Sequence, residues 1–141
     1  MKVFFAAVVS LVLMSAESGN LIYNGGFELG TDGFALHRIV TRKDRRHLPL
    51  ELEKADPAHG NCSIRIPNPD GDYFEFYVSS FVLKPNTVYT FSMTAKTDVA
   101  GGVPVEALIH DIRWNINRKA FQVGDRYSRC SFRFKTGAAG G

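Results

Sequence analysis

The chain of 141 residues has little of what marks several common protein classes. It contains two cysteines and one tryptophan, and so few cysteines exclude a disulfide-dense scaffold. After residue 14 there is no apolar run long enough for a transmembrane helix, which needs about 20 residues. There is also no phosphate-binding loop, no zinc-ligand spacing and no Ser or Cys nucleophile motif. We therefore expect no membrane insertion, and nothing in these patterns points to catalysis.

The N-terminus has the pattern of a secretory signal peptide. Lys2 gives a short positive start, residues 3–14 are almost wholly apolar, and small residues follow. The apolar run is too short to span a bilayer. We predict a signal peptide over residues 1–18, cleaved after Ala16 or Ser18, and a secreted protein that is extracellular or periplasmic. The alternative is a buried N-terminal helix.

Strand patterns dominate the rest of the chain, and Gly, Pro and Asn turns separate them. They cover "FEFYVSSFVL", "VYTFSMTAKT", "VPVEALIHDIRW" and "DRYSRCSFRFKT". In the second of these, apolar residues alternate with Thr and Ser, which predicts a half-buried strand with a polar side. We predict an all-β fold, an antiparallel β-sandwich, over residues 19–136. About 120 residues suffice for a real core.

The two cysteines leave two alternatives open. Cys62 and Cys130 lie in the strand-like runs "NCSIRI" and "RCSFRF". An exported chain with an even count permits one disulfide between them. Two separate buried thiols are the alternative, because the sequence does not show whether the Cα atoms come within about 7 Å.

Four segments, in order, resemble carbohydrate-binding modules attached to secreted xylanases and cellulases. They are "NLIYNGGFELGTDGF", "HGNCSIRI", "FVLKPNTVYTFSMTAK" and "YSRCSFRF". The resemblance implies a jelly-roll sandwich similar to galactose-binding domains. It also implies polysaccharide binding without catalysis, which targets a linked glycoside hydrolase to its substrate. The last strands of that family have no counterpart here, so we expect them to be lacking and residues 137–141 to be a flexible tail or a truncation point.

The opening segment raises the question of what its glycines and its carboxylate do. We expect Leu21, Tyr23 and Phe27 to pack inward from an initial strand, and Gly25 and Gly26 to permit a bulge or a close approach of the backbone.

The resemblance implies a structural calcium ion at the end of that segment. Its ligands here would be the Gly26 carbonyl, the Glu28 carboxylate, Asp56 and the His59 carbonyl. Calcium takes 6–8 oxygen ligands, which suits carboxylates and carbonyls. The alternative is that Glu28 and Asp56 are ordinary surface carboxylates.

A sugar site needs aromatic faces beside hydrogen-bonding groups. The candidates are three aromatic and three polar residues: Trp114, Tyr73 and Phe74, with Arg38, Arg113 and Asn115. Core packing is the alternative for Trp114 and for Phe74. Phe34 stands where the resembled family has a buried tryptophan, and we expect a structural role for it.

Charge gives a further indication of the ligand. The run "HRIVTRKDRRH", residues 37–47, is the strongest charge feature of the chain. It is either a solvated loop or a contact for an anionic polysaccharide such as a uronate or a sulfated glycan. Nucleic acid is not expected as a partner, because export is predicted and no nucleic-acid motif is present.

Catalysis has one weak candidate pair. Glu106 and His110 are expected on one face of a strand, where they could act as an acid–base pair. No nucleophile accompanies them, so we predict that the protein is not an enzyme, although it could be part of a larger glycoside hydrolase. The alternatives are a secreted adhesion or assembly module that binds protein, and a small hydrolase. We expect a monomer or a domain linked covalently to a catalytic one.

Overall fold

The computed structural model describes residues 10–15, 21–22, 24–30, 39–41, 50–67, 74–76, 82–110 and 116–138. This part of the chain contains strands and no helix, and every strand pair is antiparallel. The prediction of an all-β, sandwich-like antiparallel fold is therefore confirmed. The strands are β1 (Ser10–Ser15), β2 (Ile39–Thr41), β3 (Glu51–Glu53), β4 (Ser63–Arg65), β5 (Phe74–Phe76), β6 (Val88–Ala95), β7 (Val103–His110), β8 (Ile116–Val123) and β9 (Ser128–Lys135).

Strand β6 is the centre of a three-stranded sheet in the order β1-β6-β9. It pairs with β9 along its whole length, from Val88 opposite Lys135 to Ala95 opposite Ser128. The alternation of its sequence directs aromatic side chains to one face, where the rings of Tyr89 and Phe134 stack with centroids 5.8 Å apart. This face carries the core. Its buried apolar side chains are Ile22, Phe27, Ile64, Ile66, Leu83, Tyr89, Phe91, Met93, Ala95, Ala107, Val123, Cys130 and Phe134.

The other face of β6 differs from the sequence-based prediction of a polar, solvated side. Ser92 and Thr94 are buried, with 3% and 9% of their surface exposed. Their hydroxyls are satisfied inside the protein: Ser92 Oγ lies 3.0 Å from Ser131 Oγ, and Thr94 Oγ1 lies 3.1 Å from His59 Nε2. Small hydroxyl side chains with such partners are buried at little cost. The prediction of a half-buried strand was wrong for this reason.

The opening segment is a series of turns and not the initial strand that its sequence predicted. Asn24 and Phe27 have φ of 50° and 58°, in the left-handed region. The Phe27 N–H donates to the Asn24 carbonyl at 2.8 Å, and the Asn24 side-chain amide donates to the Gly30 carbonyl at 3.0 Å. Phe27 is nonetheless fully buried, as predicted. The side chain of Asn24 stabilises the turns, and the segment therefore does not extend into a strand.

Strands β7 and β8 form a hairpin of their own, with eight register positions from Val103 opposite Val123 to His110 opposite Ile116. The sequence predicted β7 but not β8. At the open end of this hairpin Gly102 has φ of 76°, and a Cβ atom there would lie 2.5 Å from the Val123 carbonyl oxygen. The hairpin therefore requires glycine at this position.

Three sequence-based expectations concern single features. The turn expected between the first two strand patterns is confirmed at Pro85 and Asn86, and the Asn86 N–H donates to the Gly137 carbonyl, at the start of the expected tail. Both cysteines are free thiols, Cys62 half-buried and Cys130 buried. Burial raises the pKa of the Cys130 thiol. Among the residues that the structure describes, no helix is long and apolar enough to cross a membrane.

Strand β1 lies within the predicted signal peptide. It pairs with the edge of β6 that β9 leaves free, from Ser10 opposite Thr94 to Ser15 opposite Tyr89. Cleavage after Ala16 would remove β1 and leave β6 as an edge strand. Strand β6 has no proline and no charged residue, the features by which edge strands resist pairing with other chains.

We therefore expect a protein that lacks residues 1–16 to associate through the β6 edge. Sedimentation velocity should show a concentration-dependent dimer or larger species that the chain of 141 residues does not form. A truncated protein that stays monomeric at all concentrations, with an unchanged β-sheet circular-dichroism spectrum, would contradict this expectation.

Candidate functional site

The Glu28 carboxylate joins the opening turns to the segment before β4. Glu28 Oε1 accepts a hydrogen bond from the backbone N–H of Asn61 at 2.8 Å and from that of Cys62 at 3.3 Å. Glu28 Oε2 accepts one from the Asn61 side-chain amide at 3.0 Å. One exposed carboxylate thus holds together two loops that are 33 residues apart in sequence.

Glycine permits this contact. Gly60 has φ of 58°, and a Cβ atom at this position would collide with Glu28 Oε1. At Gly26 an added Cβ would be 3.9 Å from Glu28 Cγ, an ordinary van der Waals contact. Any larger residue at position 60 would push the Glu28 carboxylate away from Asn61 and Cys62, which donate hydrogen bonds to it.

These donors also set the charge of the site. The backbone N–H of Asn61 and then its side-chain amide lower the pKa of Glu28. Hydrogen bonds to a carboxylate favour its ionised form. Glu28 therefore keeps its negative charge at neutral pH.

A second group of side chains lies around Asp56, in the same loop. The Asp56 carboxylate forms an ion pair with Lys96, just after β6. The Tyr127 hydroxyl donates to the Asp56 carbonyl, and Lys96 Nζ lies 4.5 Å from the centroid of the Tyr127 ring. The hydrogen bond to Asp56 raises the pKa of Lys96, and burial raises that of Tyr127. Together these contacts attach the loop to the ends of β6 and β9.

The four residues predicted to bind calcium are thus partly brought together. Glu28 lies beside Gly26 and beside Gly60, the neighbour of His59. The Asp56 carboxylate is engaged by Lys96, and the Glu28 carboxylate already accepts three N–H groups. In the described ranges no group of three or more His, Cys, Asp or Glu side chains is arranged to hold a metal ion. The geometry agrees with the alternative of ordinary carboxylates as well, and calcium binding stays a prediction.

Most of the predicted sugar-binding residues lie outside the described residues. These are Trp114, Tyr73, Arg38, Arg113 and Asn115, and Phe34 lies outside as well. Phe74 is the first residue of β5, and its backbone pairs with Thr41 of β2. Of the basic run, only Ile39–Thr41 is described, as strand β2.

The predicted acid–base pair lies on β7. Glu106 is exposed and opposes Ala120 of β8, and His110 is the last residue of the strand. The prediction that the protein is not an enzyme stays a prediction.

A polar surface that the sequence-based candidates missed is the outer face of β9. The strand buries Cys130 and Phe134 on one side and exposes Arg129, Arg133 and Lys135 on the other. The alternation in "SRCSFRFK" indicates this face, because the basic residues occupy the positions between the inward-facing Cys130, Phe132 and Phe134. This face is the largest group of like charges that the described strands present on one side.

Comparison with known proteins found no match: no protein-family model, no curated protein and no solved structure matches the chain.

The hydrogen bonds of Glu28 predict a pH-dependent contribution to stability. A folded-state pKa below the unfolded value stabilises the protein above the ordinary glutamate range, and the effect is lost as the pH falls through the folded-state pKa. We expect Glu28→Ala to lower the thermal midpoint at pH 7 and to have much less effect under strongly acidic conditions.

Glu51→Ala is the matched control, because Glu51 is an exposed carboxylate on β3. Differential scanning calorimetry from pH 7 down to pH 2 measures both variants. A Glu28→Ala deficit that is the same at every pH, or no larger than that of the control, would show that the charge of Glu28 does not stabilise the fold.

Proposed function

We propose that this protein binds polysaccharide without catalysing a reaction, and that binding keeps a linked glycoside hydrolase near its substrate. The observation that supports this most is how the four family-like segments meet. Glu28 of the first is hydrogen-bonded to Asn61 and Cys62 of the second. The third and fourth contain β6 and β9, which pair with each other. Segments with the order of a carbohydrate-binding module thus contact one another in pairs within an all-β fold.

The physical role of such a domain is to raise local concentration. A bound domain that is covalently linked to an enzyme turns the encounter of enzyme and polymer into an intramolecular event. For this task the domain needs a rigid framework and a surface of aromatic and polar groups, and no reactive centre. The pair of β6 and β9 supplies a framework, and Trp114, Tyr73 and Phe74 remain the aromatic candidates.

Retention on insoluble polysaccharides tests this function. We expect the protein to be retained on at least one glycan, and Trp114→Ala to reduce retention about tenfold or more, because an aromatic–sugar contact is among the larger contributions in such sites. Val82→Ala is the control, because Val82 is an exposed apolar residue outside the candidate set. The absence of retention on every glycan would contradict the proposal and favour the adhesion module.

The proposed calcium ion has a separate test. If Gly26, Glu28, Asp56 and His59 hold it, then calcium at about 100 times its Kd should stabilise the fold by about 2.7 kcal/mol. Thermal unfolding in calcium and in EDTA should differ for the unmodified protein and agree for Glu28→Gln, which retains an oxygen but not the charge. Equal midpoints of the unmodified protein in calcium and in EDTA would remove the ion from the account.

A further inference from the structure

Within the part of the chain that the structure describes, the outer face of β9 carries a line of cations with no carboxylate paired to them. Arg129, Arg133 and Lys135 are all exposed. Their cross-strand neighbours on β6 are Thr94, Thr90 and Val88, in that order, so no carboxylate lies opposite them. Among the described residues none of the three forms an ion pair. No described side chain therefore neutralises their positive charge.

One of these cations is held in place by a buried hydroxyl. Arg129 Nη2 donates to Ser92 Oγ at 3.2 Å, and Ser92 is 3% exposed. Ser131 Oγ donates to the Phe91 carbonyl at 3.1 Å. Ser131 uses its only hydroxyl proton in this bond, so in the contact between the two serines Ser92 is the donor and Ser131 the acceptor. The three hydrogen bonds therefore run in one direction, from Arg129 to Ser92, from Ser92 to Ser131 and from Ser131 to the backbone of β6. Part of the ordering that a ligand would otherwise impose on Arg129 is already present.

The spacing of the charges indicates the shape of the ligand. With a rise of about 3.3–3.4 Å per strand residue, Arg129 and Arg133 lie about 13 Å apart, and Arg133 and Lys135 about 7 Å apart. The line is about 20 Å long. A single small anion does not span the distance of about 20 Å from Arg129 to Lys135, whereas an extended chain with repeated negative groups contacts all three.

The side chains around the cations distinguish between classes of polyanion. The outward neighbours Thr90 and Ser131 are small and hydroxyl-bearing, while the aromatic residues Phe132 and Phe134 of β9 belong to the core side. Single-stranded nucleic acid is bound in positively charged grooves that also stack bases on aromatic rings. Among the described residues, the outward positions of β9 carry no ring, and the ring of Tyr127, just before the strand, lies against Lys96. Carboxylate or sulfate groups and sugar hydroxyls match guanidinium, ammonium and hydroxyl groups.

We infer that the outer face of β9 binds a linear anionic polysaccharide, with the uronate carboxylates or sulfate groups of the glycan on Arg129, Arg133 and Lys135. The inference rests on the proposed function and specifies its ligand class. It places the anionic contact on β9 in addition to, and independently of, the basic run 37–47.

The test compares two variants with the same change of charge and of residue type. Arg133→Gln/Lys135→Gln alters the proposed face, and Arg118→Gln/Lys119→Gln alters exposed residues of β8. Affinity electrophoresis in gels that contain polygalacturonate or dextran sulfate measures binding, and thermal unfolding verifies that each variant folds. The two polymers distinguish uronate from sulfate recognition.

We expect the β9 variant to lose roughly tenfold in affinity for at least one of the two polymers at low salt, since each exposed charge contact contributes up to about 1 kcal/mol. The β8 variant should stay within about twofold, and added salt should weaken the binding of the unmodified protein. Equal losses in both variants, or an unchanged β9 variant, would overturn the inference. So would tighter binding to single-stranded DNA that the β9 substitutions abolish.

The outcomes also separate this inference from the proposed function. Retention on a neutral glycan that depends on Trp114, together with no binding to either polyanion, overturns the anionic site and leaves polysaccharide binding intact. No binding to any glycan overturns both.

Discussion

The pairing of β6 with β9 is the interaction on which the other features depend. Both strands have eight residues, and they pair over their full length. On one face their side chains form an aromatic core. The ring centroids of Phe91 and Phe132 are 5.8 Å apart, and so are those of Tyr89 and Phe134. On the other face Ser92 and Ser131 share a hydrogen bond. The same alternation that buries the aromatic residues therefore positions the cations of β9 on the opposite side.

Two side-chain groups attach the surrounding loops to this sheet. Lys96 and Tyr127, at neighbouring ends of β6 and β9, hold Asp56. Glu28 then holds the opening turns against Asn61 and Cys62, a few residues further along the same loop. The loop between β3 and β4 is thus attached to the sheet at one point and to the N-terminal turns at another. A rigid arrangement of this kind is what a binding surface requires if it is to lose little entropy on binding.

The sequence predicted the strands whose alternation was regular and missed those whose pattern was mixed. Regular alternation identified β6 and β9 and the inward direction of Phe134, because the period of two is a direct consequence of strand geometry. It did not show that Ser92 is buried, since a hydroxyl face has the same pattern whether water or protein covers it. Strand β8 was missed because Arg118 and Lys119 interrupt its apolar residues, and β1 was assigned only to a signal peptide because its six residues are apolar or small.

The contacts of the candidate site were less predictable than its residues. The resemblance identified Glu28, but its partner Asn61 is 33 residues away, and the partner of Asp56 is 40 residues away at Lys96. Such pairs depend on how the strands stack, which local patterns do not encode. The turn at Asn24 was also not predicted, because glycine is the usual residue for a left-handed backbone, whereas the positive φ angles fall on Asn24 and Phe27 and not on Gly25 or Gly26.

The most direct test of glycan binding by this sheet is an NMR titration of the isotope-labelled protein with oligogalacturonate. The account predicts amide and side-chain shift changes that are largest at Arg129, Ser131 and Arg133 and that saturate with ligand. Chemical-shift changes confined to the β7–β8 hairpin would contradict the account. So would the absence of saturable shift changes both with oligogalacturonate and with neutral oligosaccharides.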